Sequence, residues 1–383
     1  MHRNIQKNRK LLIISDTGMY QKKSNYFAFG PVVKEVDYFL KEFDTVTWVG
    51  YNKPNEENNK SFISCNSKRL NYILLPNLGG TNFFSKLFTL FHYPIMILKI
   101  SKLLYKYDTI HVRAPSHPAF ITMILSFFFR RKLFWFKYAG SWMDKASKFY
   151  EFQREVLKKL GDNCKITVNG KWKDKNLNIL AFENPCLDND DKIQGKQIID
   201  EKIIGSKMNF CFVGALNKAK GVDLILKVLA DFPNKSRIGT FYFVGGGSDI
   251  LNYQSIATKL EVDIQFIGYQ PKDKIIEIYK ICHFIVLPST AEGFPKVISE
   301  GMNFGCIPIV SDISAIGQYI KHKENGFLLD KVDAKNLKDN FLYALELSTS
   351  DYRKILDSNL KLTSKFTYEY YINRMNNEIF QKE

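Results

Sequence analysis

The chain of 383 residues is 45% hydrophobic and 25% charged, a balance normal for a folded globular protein. It is too long for one ordinary core, so two domains of roughly 150–200 residues are expected. Six scattered cysteines form no C-x-x-C pair, which argues against a disulfide framework or a zinc site and suits a reducing compartment. The net charge of +16 is uneven: residues 1–180 hold 30 Lys/Arg against 13 Asp/Glu (+17), and residues 181–383 hold 25 against 26 (−1). Whatever this charge attracts is therefore drawn to the first half, with nucleic acid and an anionic membrane surface as the candidates.

The basic start, Met1 to Lys10, is followed by an apolar run of only strand length, too short for the core of a signal peptide. The longest apolar run, 118–129, stops at Arg130-Arg131-Lys132, short of the ~20 residues that span a bilayer. A cytoplasmic protein without a transmembrane helix is expected.

Strand and helix signals then alternate. Lys10-LLIIS-Asp16 reads as a fully buried strand, 17–25 as a polar loop, and 32–43 as a helix led by Phe29-Gly30-Pro31. Thr45-VTWVG-Tyr51 is a second strand and 52–60 a surface loop. Tyr107-DTIHV-Arg113 and Lys132-LFWFKY-Ala139 continue the sheet, which Lys165-ITVN-Gly170 closes. Residues 1–183 form this first domain. The polar stretch 184–205, with Asn184-Pro185 and Asp188-Asn189-Asp190-Asp191, reads as a linker.

A second α/β series occupies 206–355. Its strands are 208–215, 240–246, 263–269, 283–289 and 306–312, and its helices are 222–231, 273–282 and 295–304. The tail, 356–383, reads as a helix that packs back on the first domain. Two doubly wound domains would face a cleft with the carboxyl ends of their strands, an arrangement suited to gripping two substrates.

The chemistry concentrates in Pro288-STAEGFPKVISEGMNFG-Cys306. Pro295 suits the first position of a helix, where its missing N–H costs nothing. The amides of Gly293, Phe294, Lys296 and Val297 would then offer donors and a positive dipole end to a phosphate or sugar hydroxyl. Glu292 sits at the mouth of that helix and Glu300 on its flank, and a carboxylate accepts well from vicinal hydroxyls. A pair of glutamates at this spacing is common by chance. The preceding strand, the G-F-P turn and the ordered flanking segments give it weight.

Glu292-GFPKVIS-Glu300 resembles the E-x7-E signature of retaining glycosyltransferases of the glycosyltransferase 4 family, whose GT-B fold joins two Rossmann-like domains. Phe212-VGALNKAKG-Val222, Phe243-VGGGS-Asp249, Ile264-QFIGYQP-Lys272 and Asn325-GFLL-Asp330 match further family segments in order. The likeness is close over 206–335. It is weaker in the first domain, where Ser15-Asp16, Phe29-Gly30-Pro31 and His111-VRAPSHP-Ala119 carry it.

The resemblance implies an enzyme that takes a UDP- or GDP-linked sugar, needs no metal or other cofactor, and delivers the sugar to a glycan or lipid-linked glycan, as in bacterial surface polysaccharide synthesis. By the same resemblance Glu300 holds the ribose, and Glu292, Gly293, Phe294, Pro295 and Val297 surround the sugar. Lys220, beside Gly214, neutralises the diphosphate, and the backbone at Gly268 and Tyr269 reads the base. His117 is the candidate catalytic histidine near the sugar, whereas His111 falls inside a strand. Lys137-YAG-Ser141 also ends a strand, and Gly140 would permit close approach of a ligand.

One departure stands out: Ala215 occupies the position where the family usually has arginine. Lys218 would have to substitute. The alternatives this leaves open are a non-catalytic GT-B-like subunit or binding protein, and a GT-B nucleotide-sugar epimerase. The stretch 83–107 mixes aromatics with spaced lysines and reads either as a basic surface for anionic lipid or as a core helix with exposed lysines. No nucleic-acid-reading motif is present, so nucleic acid is not expected as a partner.

Overall fold

The computed structural model describes residues 9–59, 61–78 and 83–380. The chain divides into two compact units. Unit 1 runs to Phe182 and resumes at Ile372, and unit 2 is Glu183–Tyr371.

Unit 1 contains β1 (Lys10–Lys22), β2 (Asn25–Phe29), α1 (Gly30–Glu42), β3 (Thr45–Asn52), β4 (Phe62–Ser64), β5 (Leu70–Leu75) and α2 (Phe83–Leu104). It continues with β6 (Thr109–Ala114), α3 (His117–Ser126), β7 (Leu133–Tyr138), α4 (Lys148–Leu157), β8 (Cys164–Val168) and β9 (Ile179–Ala181). Strands β5-β3-β1-β6-β7-β8-β9 pair in parallel, so β1 lies inside the sheet. Its residues Leu11 to Ser15 are fully buried, as an unbroken apolar run covered on both faces requires. Helix α1 meets this sheet through Val32, Val33, Val36, Phe39 and Leu40, the spacing of a single helical face.

The expected loop 17–25 is instead a hairpin. β1 continues to Lys22 and β2 returns antiparallel beside it, with Tyr20 stacked on Phe27 at 5.0 Å. Its polar residues masked the cross-strand aromatic pair that holds it. β5 and the edge strand β9 were likewise not anticipated, so β8 does not close the sheet.

Unit 2 contains α5 (Asn189–Glu201), β10 (Met208–Val213), α6 (Val222–Ala230), β11 (Ile238–Val244), α7 (Ile250–Ala257), β12 (Asp263–Gly268), α8 (Lys272–Ile281) and β13 (Phe284–Leu287). It continues with α9 (Lys296–Asn303), β14 (Ile307–Ser311), α10 (Ile316–Tyr319), β15 (Phe327–Leu329), α11 (Ala334–Leu345) and α12 (Thr349–Thr363). Helix α13 (Tyr368–Arg374) crosses the division between the units. The sheet order is β12-β11-β10-β13-β14-β15, parallel throughout. Phe210, Phe241 and Phe284 stack across its centre.

The stretch read as a linker is a packed part of unit 2. Asp188 and Asp191 form a reciprocal capping box that starts α5, so the acidic run marks a helix start and not a solvated tether. The buried Lys202 ammonium, just past α5, donates to the carbonyls of Tyr279, Phe304 and Gly305. The tail also differs from the expected single helix. Helix α12 packs on α5 and α9 within unit 2, and only the chain from Ile372 joins unit 1. There Asn376 donates to Glu42 at 2.9 Å and Phe380 packs edge-on against Phe43 and Trp135.

Candidate active site

In unit 2 the loops after β10, β11 and β13 meet. The amide of Gly214 donates to Val244 O and that of Leu216 to Gly246 O, each at 2.9 Å, so the turn after β10 is fastened to the turn after β11. A Cβ on Gly245 would stand 1.9 Å from Gly214 O, and its φ is +135°; a close backbone crossing explains this glycine without invoking a ligand.

The short turn Lys218–Lys220 follows. Asn217 caps it by accepting from the Lys220 amide at 3.0 Å, and Gly221 ends it at φ +80°. A Cβ there would lie 2.5 Å from Pro288 O, so this glycine lets the turn press against the end of β13. Thr290 completes the junction by donating its amide to Ala219 O at 2.9 Å. Lys220 is thereby delivered to Glu292: its Nζ contacts Oε1, which also accepts from Ser289 Oγ at 2.9 Å. The two side chains are 29% and 11% exposed, so the pair is only partly screened by water. Lys218 and Ala215 are both exposed on the same turn.

Helix α9 begins one residue later than expected, with Pro295 as its N-cap and Lys296 as its first residue. The Phe294 ring does not face outward. It is buried, stacked on Phe366 at 4.8 Å and edge-on to Tyr319 at 5.0 Å, so it anchors the helix start and leaves only its backbone for a ligand. Gly293 and Val297 are partly buried beside it, and the first-turn amides precede any intrahelical acceptor.

Glu300, on the flank of α9, is partly buried among charged groups. Burial raises its pKa; Lys272 and Lys296 oppose that rise and Asp191 adds to it. Lys272 is itself held at 2.5 Å by Asp191; burial lowers its pKa, but this hydrogen bond together with the Asp191, Asp188 and Glu300 charges leaves it raised. Ser289, Lys272 and Asp191 were missed in the sequence. Asp191 was hidden in the supposed linker, and Lys272 was visible only as the residue after the Gly268–Tyr269 segment. Gly268 has φ +74° with open space where a Cβ would go, and Tyr269 is 46% exposed.

In unit 1, Asp16, Phe29, Lys53, Arg113 and Pro115 line a cavity of about 490 Å³. All three segments quoted for the first domain's resemblance therefore converge on one pocket. Burial raises the Asp16 pKa, opposed by its own backbone hydrogen bond and by the Arg113 and Lys53 charges. Behind it Glu35, 1% exposed, is held by Arg113 at 2.9 Å and by Lys137 at 2.9 and 3.0 Å. His117 is the first residue of α3, capped by Ser116. Its Nδ1 lies 2.8 Å from Tyr93 Oη and its ring stacks on Phe149 at 4.8 Å, while burial lowers its pKa. His117 does not line the Asp16 cavity. His111 is fully buried in β6, and burial pushes its pKa down to about 3. A Cβ on Gly140 would stand 3.2 Å from the Tyr138 ring.

Residues 194–362, which lie within unit 2, match the family model of the glycosyl transferases group 1. An uncharacterized glycosyltransferase of Methanocaldococcus jannaschii is 28% identical over 160 residues, 41% of this chain and 44% of that protein. The UDP-Gal:alpha-D-GlcNAc-diphosphoundecaprenol alpha-1,3-galactosyltransferase of Escherichia coli is 31% identical over 163 residues, 40% of each chain. Both matches span less than half of the relative's length. Anabaena HepE, solved in complex with UDP, superposes with a TM-score of 0.68 over 98% of this chain and 100% of that one, at 14% identity. The fold is GT-B: two Rossmann-like units, each built on a parallel sheet.

Proposed function

We propose that the chain is a retaining glycosyltransferase of the glycosyltransferase 4 type that moves a sugar from a UDP- or GDP-linked donor to a glycan or lipid-linked glycan. The observation that carries this reading is the Lys220–Glu292–Ser289 cluster beside the start of α9, with Glu300 farther along the same helix. Glu300 holds the ribose hydroxyls, Glu292 and the Gly293–Phe294 backbone hold the sugar, and the Gly268–Tyr269 segment lies along the base. Lys220 supplies the positive charge that a leaving diphosphate requires, a role filled without a divalent cation. His117, neutral near pH 7 by its lowered pKa, is assigned to the sugar as a hydroxyl partner. The Asp16 cavity is assigned to the acceptor, since a carboxylate flanked by the Phe29 and Phe62 rings suits a sugar with polar edges and apolar faces. The Escherichia coli relative, named for a diphosphoundecaprenol acceptor, supports a lipid-linked glycan and a setting in bacterial surface polysaccharide assembly, on the cytoplasmic side.

Exposed Ala215 favours a second reading, a nucleotide-sugar-binding subunit without turnover. One experiment separates the two. UDP- and GDP-sugars are offered to the protein in the presence of a chelator, with thermal stabilisation and donor hydrolysis both recorded. Stabilisation with slow hydrolysis supports the enzyme, stabilisation alone supports the binding subunit, and neither effect with any donor removes the donor site.

A further inference from the structure

Helix α2 is apolar on two faces. Met96, Ile100 and Leu104 are fully buried in the core of unit 1, as a core helix requires. Phe88, Phe91, Ile95, Leu98 and Tyr105 are exposed, and their three- and four-residue steps align them, with Lys102, along a second face about 100° wide. Phe91 is 69% and Leu98 63% exposed, far more than isolated surface apolar residues need explain. The end of α3 extends this surface: Tyr105 packs edge-on against Phe129 at 5.1 Å, and Phe127 and the 77%-exposed Phe128 are adjacent in sequence.

The surroundings of the patch are strongly basic. Between residues 88 and 132 the chain carries Lys99, Lys102, Lys106, Arg130, Arg131 and Lys132 against a single acid, Asp108; Arg113, in the same stretch, is held by the buried Glu35 and is no part of this surface. Asp108 is paired with Lys132 at 2.8 Å. Two copies of this surface would set like charges face to face, which disfavours a homodimer. Among the described residues no helix is long and apolar enough to cross a membrane, so the stripe can lie in an interface but not span it.

We propose that the exposed face of α2, with the end of α3, docks unit 1 on an anionic lipid bilayer, the aromatic stripe entering the headgroup boundary and the surrounding cations pairing with acidic headgroups. This goes beyond the donor chemistry and does not depend on it.

The test is flotation of the full chain with vesicles of phosphatidylcholine alone and of phosphatidylcholine mixed with phosphatidylglycerol. It is run at about 0.01 M salt, where charges act over roughly 30 Å, and at about 1 M, where they act over roughly 3 Å. The protein is expected to float with the anionic vesicles at low salt and to lose most of that binding at high salt. F91S combined with L98S should lower partitioning by roughly tenfold or more, because each side chain forfeits its apolar burial. K102E combined with R131E should abolish the preference for the anionic vesicles. Thermal stabilisation by UDP is measured on every variant and should not change, which separates failure here from failure of the donor-site reading. Absence of flotation overturns the proposal, as does binding that F91S/L98S leaves intact. A dimer in sedimentation that the same pair of substitutions dissolves, without vesicle binding, would assign the stripe to a second copy and overturn it as well.

Discussion

Replacing Glu292 by glutamine keeps the shape of the side chain and an acceptor for Ser289 but removes the charge that holds Lys220. Without a donor this ion pair is closed, so an incoming diphosphate has to draw the lysine away from a carboxylate that also repels it. Surface pairs contribute about 0–1 kcal/mol, whereas breaking a buried one costs about 3–5 kcal/mol. With exposures of 29% and 11% this pair falls between those limits, at roughly 1.5 kcal/mol. Glu292→Gln should therefore tighten UDP binding by about tenfold, the factor that roughly 1.4 kcal/mol represents. The sugar would lose a hydrogen bond to a charged group, so turnover should fall about ten- to hundredfold. Calorimetric titration with UDP, set beside transfer or hydrolysis rates with the sugar nucleotide, reads both effects. If UDP and the sugar nucleotide weaken together, Glu292 grips the nucleotide and its assignment to the sugar is wrong.

Four further outcomes are expected. Glu300 must be ionised to accept ribose hydroxyls, and burial raises its pKa, so UDP affinity should begin to fall with decreasing pH above the usual carboxylate range of about 4.3. Its effect on stability has the opposite sign, being present below the unfolded pKa and lost as pH rises through the folded one; Glu300→Gln should flatten both profiles in titration and urea unfolding. Gly221→Ala forces a left-handed residue, at about 1–2 kcal/mol, into a 2.5 Å contact with Pro288 O. Urea unfolding should show a loss of about 2 kcal/mol or more, and UDP should bind more weakly. Asp16→Asn should raise the acceptor KM while leaving UDP affinity unchanged, and a change in UDP affinity would detach the cavity from the acceptor. Ala215→Arg should tighten binding of the sugar nucleotide about tenfold, the scale of one charge-assisted contact, with little change in melting temperature.

The parallel strands were legible wherever burial on both faces leaves an unbroken apolar run, as in Leu11 to Ile14 and in Phe284 to Leu287. Pattern failed where polar residues do structural work. Asp188 and Asp191 look like a solvated tether but cap a packed helix, and the Tyr20–Phe27 hairpin is written in polar residues around one aromatic pair. Glu292 and Glu300 could be located because a strand, a turn and a helix start fix their spacing. Their partners could not be located the same way: Lys220 lies 72 residues from Glu292 and Lys272 lies 81 from Asp191, so only the tertiary packing of unit 2 brings them together. Phe294 shows the converse limit. The motif places it at the start of α9, yet its ring is turned inward to hold the helix.

The weight then falls on Ala215, because the loop that carries it does not depend on its side chain. Gly214 and Leu216, on either side, are fixed through their own amides to β11 and its turn, and Gly245 allows that crossing. Nothing in this arrangement requires alanine, and nothing in it would be disturbed by a longer exposed side chain. The backbone of the loop is thus set by its own amides, whereas the resemblance to the glycosyltransferase 4 family expects a cation where Ala215 stands. If the missing charge alone limited catalysis, restoring it would raise turnover at no structural cost. If Lys218 or another cation already serves, the added arginine would crowd the diphosphate and gain nothing. The scaffold is neutral between these cases, so the sign of the Ala215→Arg effect on turnover reports on the donor's phosphates and not on the fold.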